Sequence, residues 1–303
     1  MSSVLSHPLM ARLLGPKLAM VLVTMVWGGT FYVIKVGLTL STPMFFVGSR
    51  FTAASLAIAL ISYHSLRRIS RADVVAAMAI GASITLGYGS QTTGLQYITS
   101  SESAFITALY VPLVPMIVFM VFKKVPHYMT CVGALVAFVG LMLLSGVGSS
   151  AQTLNFGHVI TAFGTIALAF EIIFISHFAP HVNLKNVTIL QLLFAGIFAF
   201  IAMPFVGETQ LPDFSWELTG LIVGLGLASA LIQLTMNWAQ RSVESSTAAI
   251  IYAGEPVWAG IVGRIAGERL PAIAMLGGVF VVAGLLLSEV RPKSKKASIK
   301  QAD

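Results

Sequence analysis

The chain has 303 residues, of which 57% are hydrophobic and 10% charged, and its formal net charge is +7. Soluble proteins carry about 25% charged residues, so this composition excludes an ordinary soluble domain and indicates a membrane protein. The basic residues are spread over short segments between apolar runs. That distribution argues against a nucleic-acid partner and favours contact with the lipid bilayer and its anionic headgroups. A single cysteine, Cys131, leaves no intrachain disulfide and no cysteine-based metal cluster within this chain.

Apolar runs of about twenty residues, the length that spans a bilayer as a helix, follow one another along the chain. They are continuously apolar, without the alternating polarity of barrel strands. The sequence therefore predicts an all-α integral membrane protein with ten transmembrane helices. The predicted helices cover residues 18–40, 44–63, 73–95, 101–122, 128–147, 158–178, 187–206, 218–240, 246–266 and 271–289.

The basic residues predict how the helices are oriented, because Lys and Arg accumulate in cytoplasmic loops. With the N-terminus inside, 14 of the 18 basic residues fall on the cytoplasmic side. The predicted external loop from Gly207 to Glu217 carries three acids and no base. We therefore expect a multi-pass protein of the cell (inner or plasma) membrane with both termini in the cytoplasm.

The two halves of the chain resemble each other. A shift of 144 residues aligns Gln96 with Gln240, Pro112 with Pro256, Gly133 with Gly277 and Gly140 with Gly284. The predicted organisation is a five-helix repeat in residues 1–150, a second in 151–290 and a basic cytoplasmic tail in 291–303. Five helices are an odd number, so the second repeat is expected to be inverted relative to the first, with substrate bound where the halves meet. The paired glycines are expected to form a helix-packing seam.

Several motifs carry a family resemblance. They are WGGTF from Trp27, GLQYITSSESAFITALYVPLVP from Gly94, NWAQRSVESSTAAIIYAGEPVWAGI from Asn237 and GERLP from Gly267. Over essentially its full length the chain resembles the EamA branch of the drug/metabolite transporter superfamily. The resemblance implies a ten-helix, exporter-like permease for small metabolites, often amino acids, with a pocket formed mainly by helices 1, 3, 4, 6, 8 and 9. One departure is Lys123-Lys124, where the second repeat has Gly267-Glu268, so equivalent sites need not act symmetrically.

Charged residues inside the bilayer are costly and need an explanation. Glu171 and Glu255 lie near the centres of predicted helices, and Lys35 and Arg50 lie some turns from the outer ends of theirs. These four residues are candidates for ion coupling or for mutual charge pairing. Because apolar surroundings disfavour a charged carboxyl, Glu171 and Glu255 are also candidates to carry protons or to bind a substrate ammonium group. Glu255 precedes Pro256, which loosens its helix.

Tyr88 and Gln91 share one face of the third predicted helix, and Gln233 and Asn237 share a face of the eighth. Together with Glu171 and Glu255, the candidate substrate-binding residues are Trp27, Tyr88, Gln91, Tyr110, Gln233, Asn237 and Tyr252. Each of these polar groups could instead serve only as an interhelical hydrogen-bond partner.

The chain carries none of the zinc-protease, phosphate-loop or nucleophile-elbow motifs. We therefore expect no enzyme activity, cofactor or metal, and a monomer or weak homodimer. The favoured function is secondary-active export or exchange of small polar metabolites, amino acids foremost, by alternating access and with protons as the candidate coupling ion. A multidrug or cation efflux permease of the same fold remains an alternative. A membrane-embedded enzyme acting on lipid-linked substrates and a membrane scaffold are the alternatives from other classes.

Overall fold

The computed structural model describes residues 15–144, 155–265, 267 and 272–289. In this part of the chain there are twelve α-helices and two short 3-10 helices, at Tyr63–Arg68 and Met203–Val206. The α-helices are α1 (Pro16–Gly37), α2 (Pro43–Ser62), α3 (Arg71–Gly94), α4 (Ser100–Thr107), α5 (Tyr110–Phe122), α6 (Tyr128–Leu144), α7 (Phe156–Phe178), α8 (Leu184–Ala202), α9 (Trp216–Ala239), α10 (Ser245–Tyr252), α11 (Glu255–Ile265) and α12 (Ala272–Glu289). The predicted basic tail 291–303 and most of the GERLP motif lie outside the described residues.

The prediction of an all-helical membrane protein is confirmed for the described residues. Seven segments are long and apolar enough to cross a membrane. They are Pro16–Gly37, Pro43–Leu66, Arg71–Gly94, Ser100–Phe122, Phe156–Phe178, Leu184–Val206 and Trp216–Ala239. The apolar helices Tyr128–Leu143 and Leu276–Ser288 are shorter. The count of ten spanning helices is thus supported only in part.

Two predicted helices are not continuous. The predicted fourth helix is divided into α4 and α5, and the predicted ninth into α10 and α11. Each break lies just before a proline, Pro112 in α5 and Pro256 in α11. Proline has no N–H to donate to the carbonyl group four residues earlier, so the helical hydrogen-bond ladder stops there. The sequence predicted loosening at Pro256 but not a second, matching break before Pro112.

The helices of the two halves pack in a pattern that is preserved when the halves are exchanged. With α1–α6 matched in order to α7–α12, the contact of α3 with α7 becomes that of α9 with α1, and α3 with α8 becomes α9 with α2. The pairs α2–α8 and α6–α12 map onto themselves. In α6–α12, a Cβ atom on Gly133 would lie 2.6 Å from Gly284 O, and one on Gly140 would lie 2.6 Å from Gly277 O. These approaches confirm the predicted glycine seam.

Polar contacts join the halves at both ends of the bundle. The Glu208 carboxylate, beyond α8, accepts hydrogen bonds from the backbone N–H groups of Met44 (2.9 and 3.1 Å) and Phe45 (3.2 Å) at the start of α2. At the other end, Asp73 at the start of α3 accepts from the backbone N–H of Asn183 at 2.9 Å. Negative groups at helix N-termini are favourable because they meet unpaired N–H groups and the positive end of the helix dipole.

Helix α1 approaches the break between α10 and α11 very closely at Gly28. A Cβ atom there would lie 2.6 Å from Glu255 O and 2.8 Å from Ala259 N, both backbone atoms. A Cβ atom on the neighbouring Gly29 would have no atom within 4 Å. Gly28 is therefore the residue that allows α1 to contact the broken helix.

Substitution of Gly28 by alanine should destabilise the protein, because neither backbone segment can move without shifting a helix. We expect the free energy of unfolding to fall by about 1–3 kcal/mol, the usual cost of overpacking. The measurement is thermal unfolding of the purified protein in detergent. Gly29→Ala is the matched control and should be neutral or slightly stabilising, because alanine favours helix over glycine. Equal stability of the two variants would contradict the close approach of α1.

Candidate functional site

Two buried carboxyl groups lie at the centre of the site. Glu171 on α7 is 1% exposed and Glu255, at the start of α11, is 0% exposed. Glu171 Oε1 accepts a hydrogen bond from Gln233 Nε2 at 2.7 Å, and Glu255 Oε2 accepts one from the Tyr110 hydroxyl at 3.3 Å. The second oxygen of each acid is buried without a hydrogen-bond partner among the described residues. Each carboxyl group can therefore accept a further donor.

A group of aromatic side chains packs beside these acids. The Trp27 ring on α1 stacks on Tyr88 of α3 at a centroid distance of 6.1 Å and meets Tyr252 of α10 edge-on at 5.6 Å. Tyr88 lies near both Glu171 and Glu255. The sequence-predicted aromatic residues and acids therefore converge on one place from six different helices, where each of them is at most 2% exposed.

Arg50 on α2 supplies the positive charge nearest to this cluster. Its Nε donates to Ser229 Oγ at 2.6 Å, and its guanidinium lies 5.2 Å from the Phe51 ring centre and 5.8 Å from that of Tyr88. In the described part of the chain no carboxylate oxygen lies within 4.0 Å of it, although Glu255 is close enough to interact electrostatically. Arg50 thus faces the cluster without forming a salt bridge.

The remaining predicted residues divide into near and distant ones. Asn237 Nδ2 donates to the backbone carbonyl of Gln233 at 2.9 Å, one turn from the glutamine that bonds Glu171. Gln91 Nε2 donates to Thr107 Oγ1 at 2.8 Å, at the end of α4 next to its break. Lys35 stands apart, because its Nζ donates to the Ile98 carbonyl at 3.3 Å in the connection before α4. The structure therefore does not bring Lys35 together with Arg50.

Three polar residues of the network were not predicted. Gln191 on α8 donates to Gln233 Oε1 at 2.7 Å, and its own Oε1 is buried without a partner among the described residues. Ser229 holds Arg50, and Gln240 donates to the Tyr252 hydroxyl at 2.9 Å. The sequence does carry a signal for Gln191 and Gln240, because a glutamine in or beside an apolar run is a candidate for a buried hydrogen bond. Ser229 has no such signal, because a lone serine in an apolar helix commonly bonds its own backbone.

A cavity of about 680 Å³ leads from one end of the bundle towards the cluster. It is lined by the α5–α6 connection, the last turns of α7 and the connection from α9 to α10. Its lining includes Lys124 and Arg241 at the surface and Ser176 and Gln240 inside. Ser176 Oγ donates to Gln240 Oε1 at 2.7 Å, so the inner wall of the cavity is directly bonded to the Tyr252 side of the cluster.

Polar contacts join α7 to α4 and to the connection before α4. Thr165 Oγ1 of α7 donates to the Ile106 carbonyl on α4 at 3.1 Å. Further out, Asn155 Nδ2 donates to the Tyr97 carbonyl at 3.3 Å. The cavity lies at the end that carries Lys124 and Arg241, and Gln240 on its wall donates to Tyr252 of the cluster.

The site's chemistry is that of ligand binding. Among the described residues no group of three or more His, Cys, Asp or Glu side chains could hold a metal ion. What the cluster offers is three unpaired buried oxygens, on Glu171, Glu255 and Gln191, together with a guanidinium group. Buried polar groups are normally hydrogen-bonded. A ligand that carries hydrogen-bond donors would therefore satisfy these three oxygens.

Comparison with known proteins identifies the family. The EamA-like transporter family matches residues 16–146 and 155–289, one match in each half of the chain. An uncharacterized transporter of Archaeoglobus fulgidus is 29% identical over 277 residues, covering 90% of this chain and 85% of that protein. The uncharacterized inner membrane transporter YedA of Escherichia coli K12 is 28% identical over 272 residues, covering 87% of each.

The fold has a counterpart in a crystal structure as well. It aligns with a TM-score of 0.73 at 15% sequence identity and covers 90% of this chain and 97% of the other. At this identity the similarity concerns the fold alone. The family match, which spans both halves, and the relatives named as transporters confirm the resemblance seen in the sequence motifs. This chain is a multi-pass membrane transporter and belongs to the EamA-like transporter family.

Proposed function

We propose that the protein is a secondary-active transporter that exports or exchanges small polar metabolites, with amino acids and related compounds as the substrate class. The observation that carries the proposal is the pair of buried acids, Glu171 and Glu255, each with one oxygen that has no partner among the described residues. A membrane-embedded enzyme acting on lipid-linked substrates would need its polar residues at an interface. This cluster lies instead in the core of the bundle.

The two acids support proton coupling. A charged carboxylate buried in hydrocarbon without a counter-ion is costly, and no Lys, Arg or His nitrogen of the described residues lies within 4.0 Å of either acid. A proton or a substrate ammonium group removes that cost. When both can bind the same acids, their exchange links substrate movement to proton movement, which is what secondary transport requires.

Arg50 favours amino acids over purely cationic compounds. Its guanidinium has one hydrogen bond in the described part of the chain, to Ser229, and its other donors suit a carboxylate. A zwitterion could place its ammonium group against Glu171 or Glu255 and its carboxylate against Arg50. A cationic drug would bring its positive charge close to the positive charge of Arg50 and would offer no carboxylate to neutralise it, which is unfavourable.

The exchangeable packing of the two halves supports alternating access. We take the repeats, residues 1–150 and 151–290, to be inverted relative to each other. Five crossings leave the chain on the opposite side of the membrane, so the second repeat begins there. We take the end with Lys124 and Arg241 to be cytoplasmic, because basic residues accumulate in cytoplasmic loops. On this orientation the cavity faces inward and the contacts around α4 close the outside. Exchange of the two halves' conformations would open the outside and close the inside.

The proton-coupling proposal predicts a specific defect in Glu255→Gln and Glu171→Gln. In liposomes, an imposed pH gradient should drive accumulation of a labelled amino acid by the unchanged protein. In at least one variant the gradient should lose its effect, while exchange of labelled for unlabelled substrate continues, because glutamine keeps the side-chain shape but carries no proton.

The matched control is Glu217→Gln, an exposed acid in the first turn of α9. Its transport should respond to the gradient as in the unchanged protein. If both Glu171→Gln and Glu255→Gln also respond fully, neither acid carries the coupling proton.

A second prediction concerns the charge of the substrate. Arg50→Gln should weaken transport of amino acids at least about tenfold, the usual effect of losing a hydrogen bond to a charged group. Transport of an amino-acid amide, which lacks the carboxylate, should change little. The measurement compares initial rates for the acid and the amide in the same liposomes. Equal losses for both compounds would show that Arg50 does not recognise the carboxylate.

A further inference from the structure

The first turn of α10 lies at the cavity and is not capped. Glu244 precedes the helix, and its side chain makes no capping hydrogen bond. The first N–H groups of a helix have no partner within the helix, which applies here to Ser245, Ser246 and Thr247. Ser245 and Ser246 line the cavity. The cavity wall therefore presents a helix N-terminus, the end of a helix that attracts anions.

The matching helix of the first half differs in this respect. At the start of α4, Thr99 Oγ1 accepts a hydrogen bond from the backbone N–H of Glu102 at 3.1 Å. The Glu102 carboxylate in turn accepts from the Thr99 backbone N–H at 2.7 Å. This capping box already satisfies two of the donors at that helix end. The uncapped start is thus specific to the second half.

An independent observation points to a ligand at α10. The side chain of Ser246 is 6% exposed and lines the cavity. Its hydroxyl forms no hydrogen bond with any described residue. A hydroxyl on the cavity wall beside free backbone N–H groups can donate to the same acceptor as they do.

The charges around the cavity favour an anion. Lys124 and His127 lie in the α5–α6 connection, His177 near the end of α7 and Arg241 beyond α9, and all four line the cavity. Arg241 is held in place by hydrogen bonds to the carbonyls of Ala179 and Val182, both at 3.0 Å. Glu244 is the acid that lines the same cavity. Two permanently charged bases thus outweigh one acid.

We propose that this cavity is a binding site for the anionic group of a small molecule or lipid, a phosphate or a carboxylate. The backbone N–H groups of residues 245–247 and the Ser246 hydroxyl donate to it, and Lys124 attracts it electrostatically. The site lies in the cavity that we take to be the inward opening, and Gln240 joins it to the cluster of Glu171 and Glu255. Its binding of an anion can be measured without the transported compound and without a proton gradient.

Binding of radiolabelled inorganic phosphate tests this site without a transport assay. The purified full-length protein is placed in nanodiscs of neutral phosphatidylcholine at low ionic strength. We expect saturable binding that Ser246→Ala weakens at least about tenfold, because a hydrogen bond to a charged ligand is lost. Lys124→Gln should weaken it several-fold and reduce its dependence on salt. Neither substitution removes an interaction among the described residues, so both variants should fold.

Ser100→Ala, at the matching start of α4, is the control and should bind phosphate like the unchanged protein. Nanodiscs that contain anionic phosphatidylglycerol distinguish the two sources of the ligand. Loss of phosphate binding in these nanodiscs would identify a lipid headgroup as the occupant, and unchanged binding would identify a soluble anion. Absence of saturable binding in neutral nanodiscs, or equal affinity of the Ser246→Ala and Lys124→Gln variants and the unchanged protein, would overturn the proposal.

Discussion

The constraint on which the rest of the structure depends is the hydrogen-bonding of acceptors buried in the centre of the bundle. Glu171, Glu255 and Gln191 each have a buried oxygen without a donor among the described residues. In a membrane interior, water cannot supply the missing donor from outside. Such groups are costly to keep, and in membrane proteins they mark places where ligands or ions bind. The surrounding helices position these acids and provide a way for a donor to reach them.

The broken helices explain how one fold positions the acids and also provides access. Glu255 lies at the break between α10 and α11, and Gly28 brings α1 against this break. Tyr110, at the corresponding break of the first half, donates to Glu255. The two breaks therefore meet through one hydrogen bond. Irregular backbone at membrane depth is tolerated where it is buried in protein, and Ala108 and Ala253 at the two breaks are 0% exposed.

The two ends of the bundle differ although the halves share one packing pattern. On the side of α4, hydrogen bonds from Thr165 and Asn155 join α7 to α4 and to the connection before α4. At the end with α10, a cavity of about 680 Å³ separates the equivalent elements. Alternating access requires two similar halves that adopt different conformations, both when the protein opens inward and when it opens outward. The unequal capping of α4 and α10 adds a chemical difference, because α4 begins with a capping box and α10 has no side-chain cap.

Much of the fold could be predicted from the sequence, because the hydrocarbon core permits long apolar helices and little else. The positions of Glu171, Glu255 and the tyrosines followed from the same rule, since polar groups stand out in apolar runs. The break before Pro112 was missed because α5 is otherwise continuously apolar. Gln191 and Ser229 were missed as partners because hydrogen bonds between distant helices depend on tertiary packing. Lys35 was grouped with Arg50 by depth alone, and sequence does not show that its side chain turns to Ile98.

The central claim is that the core opens in turn to the two ends of the bundle. It is tested most directly by single-cysteine labelling with a membrane-impermeant maleimide, after Cys131 is replaced by serine. Ser242→Cys lies in the cavity, and Ser103→Cys lies on α4 at the closed end, where the serine is 0% exposed. The account predicts that conditions which make Ser103→Cys reactive from the outside protect Ser242→Cys from the inside, and the reverse. Simultaneous reactivity of both sites, or a Ser103→Cys that never reacts during transport, would contradict it.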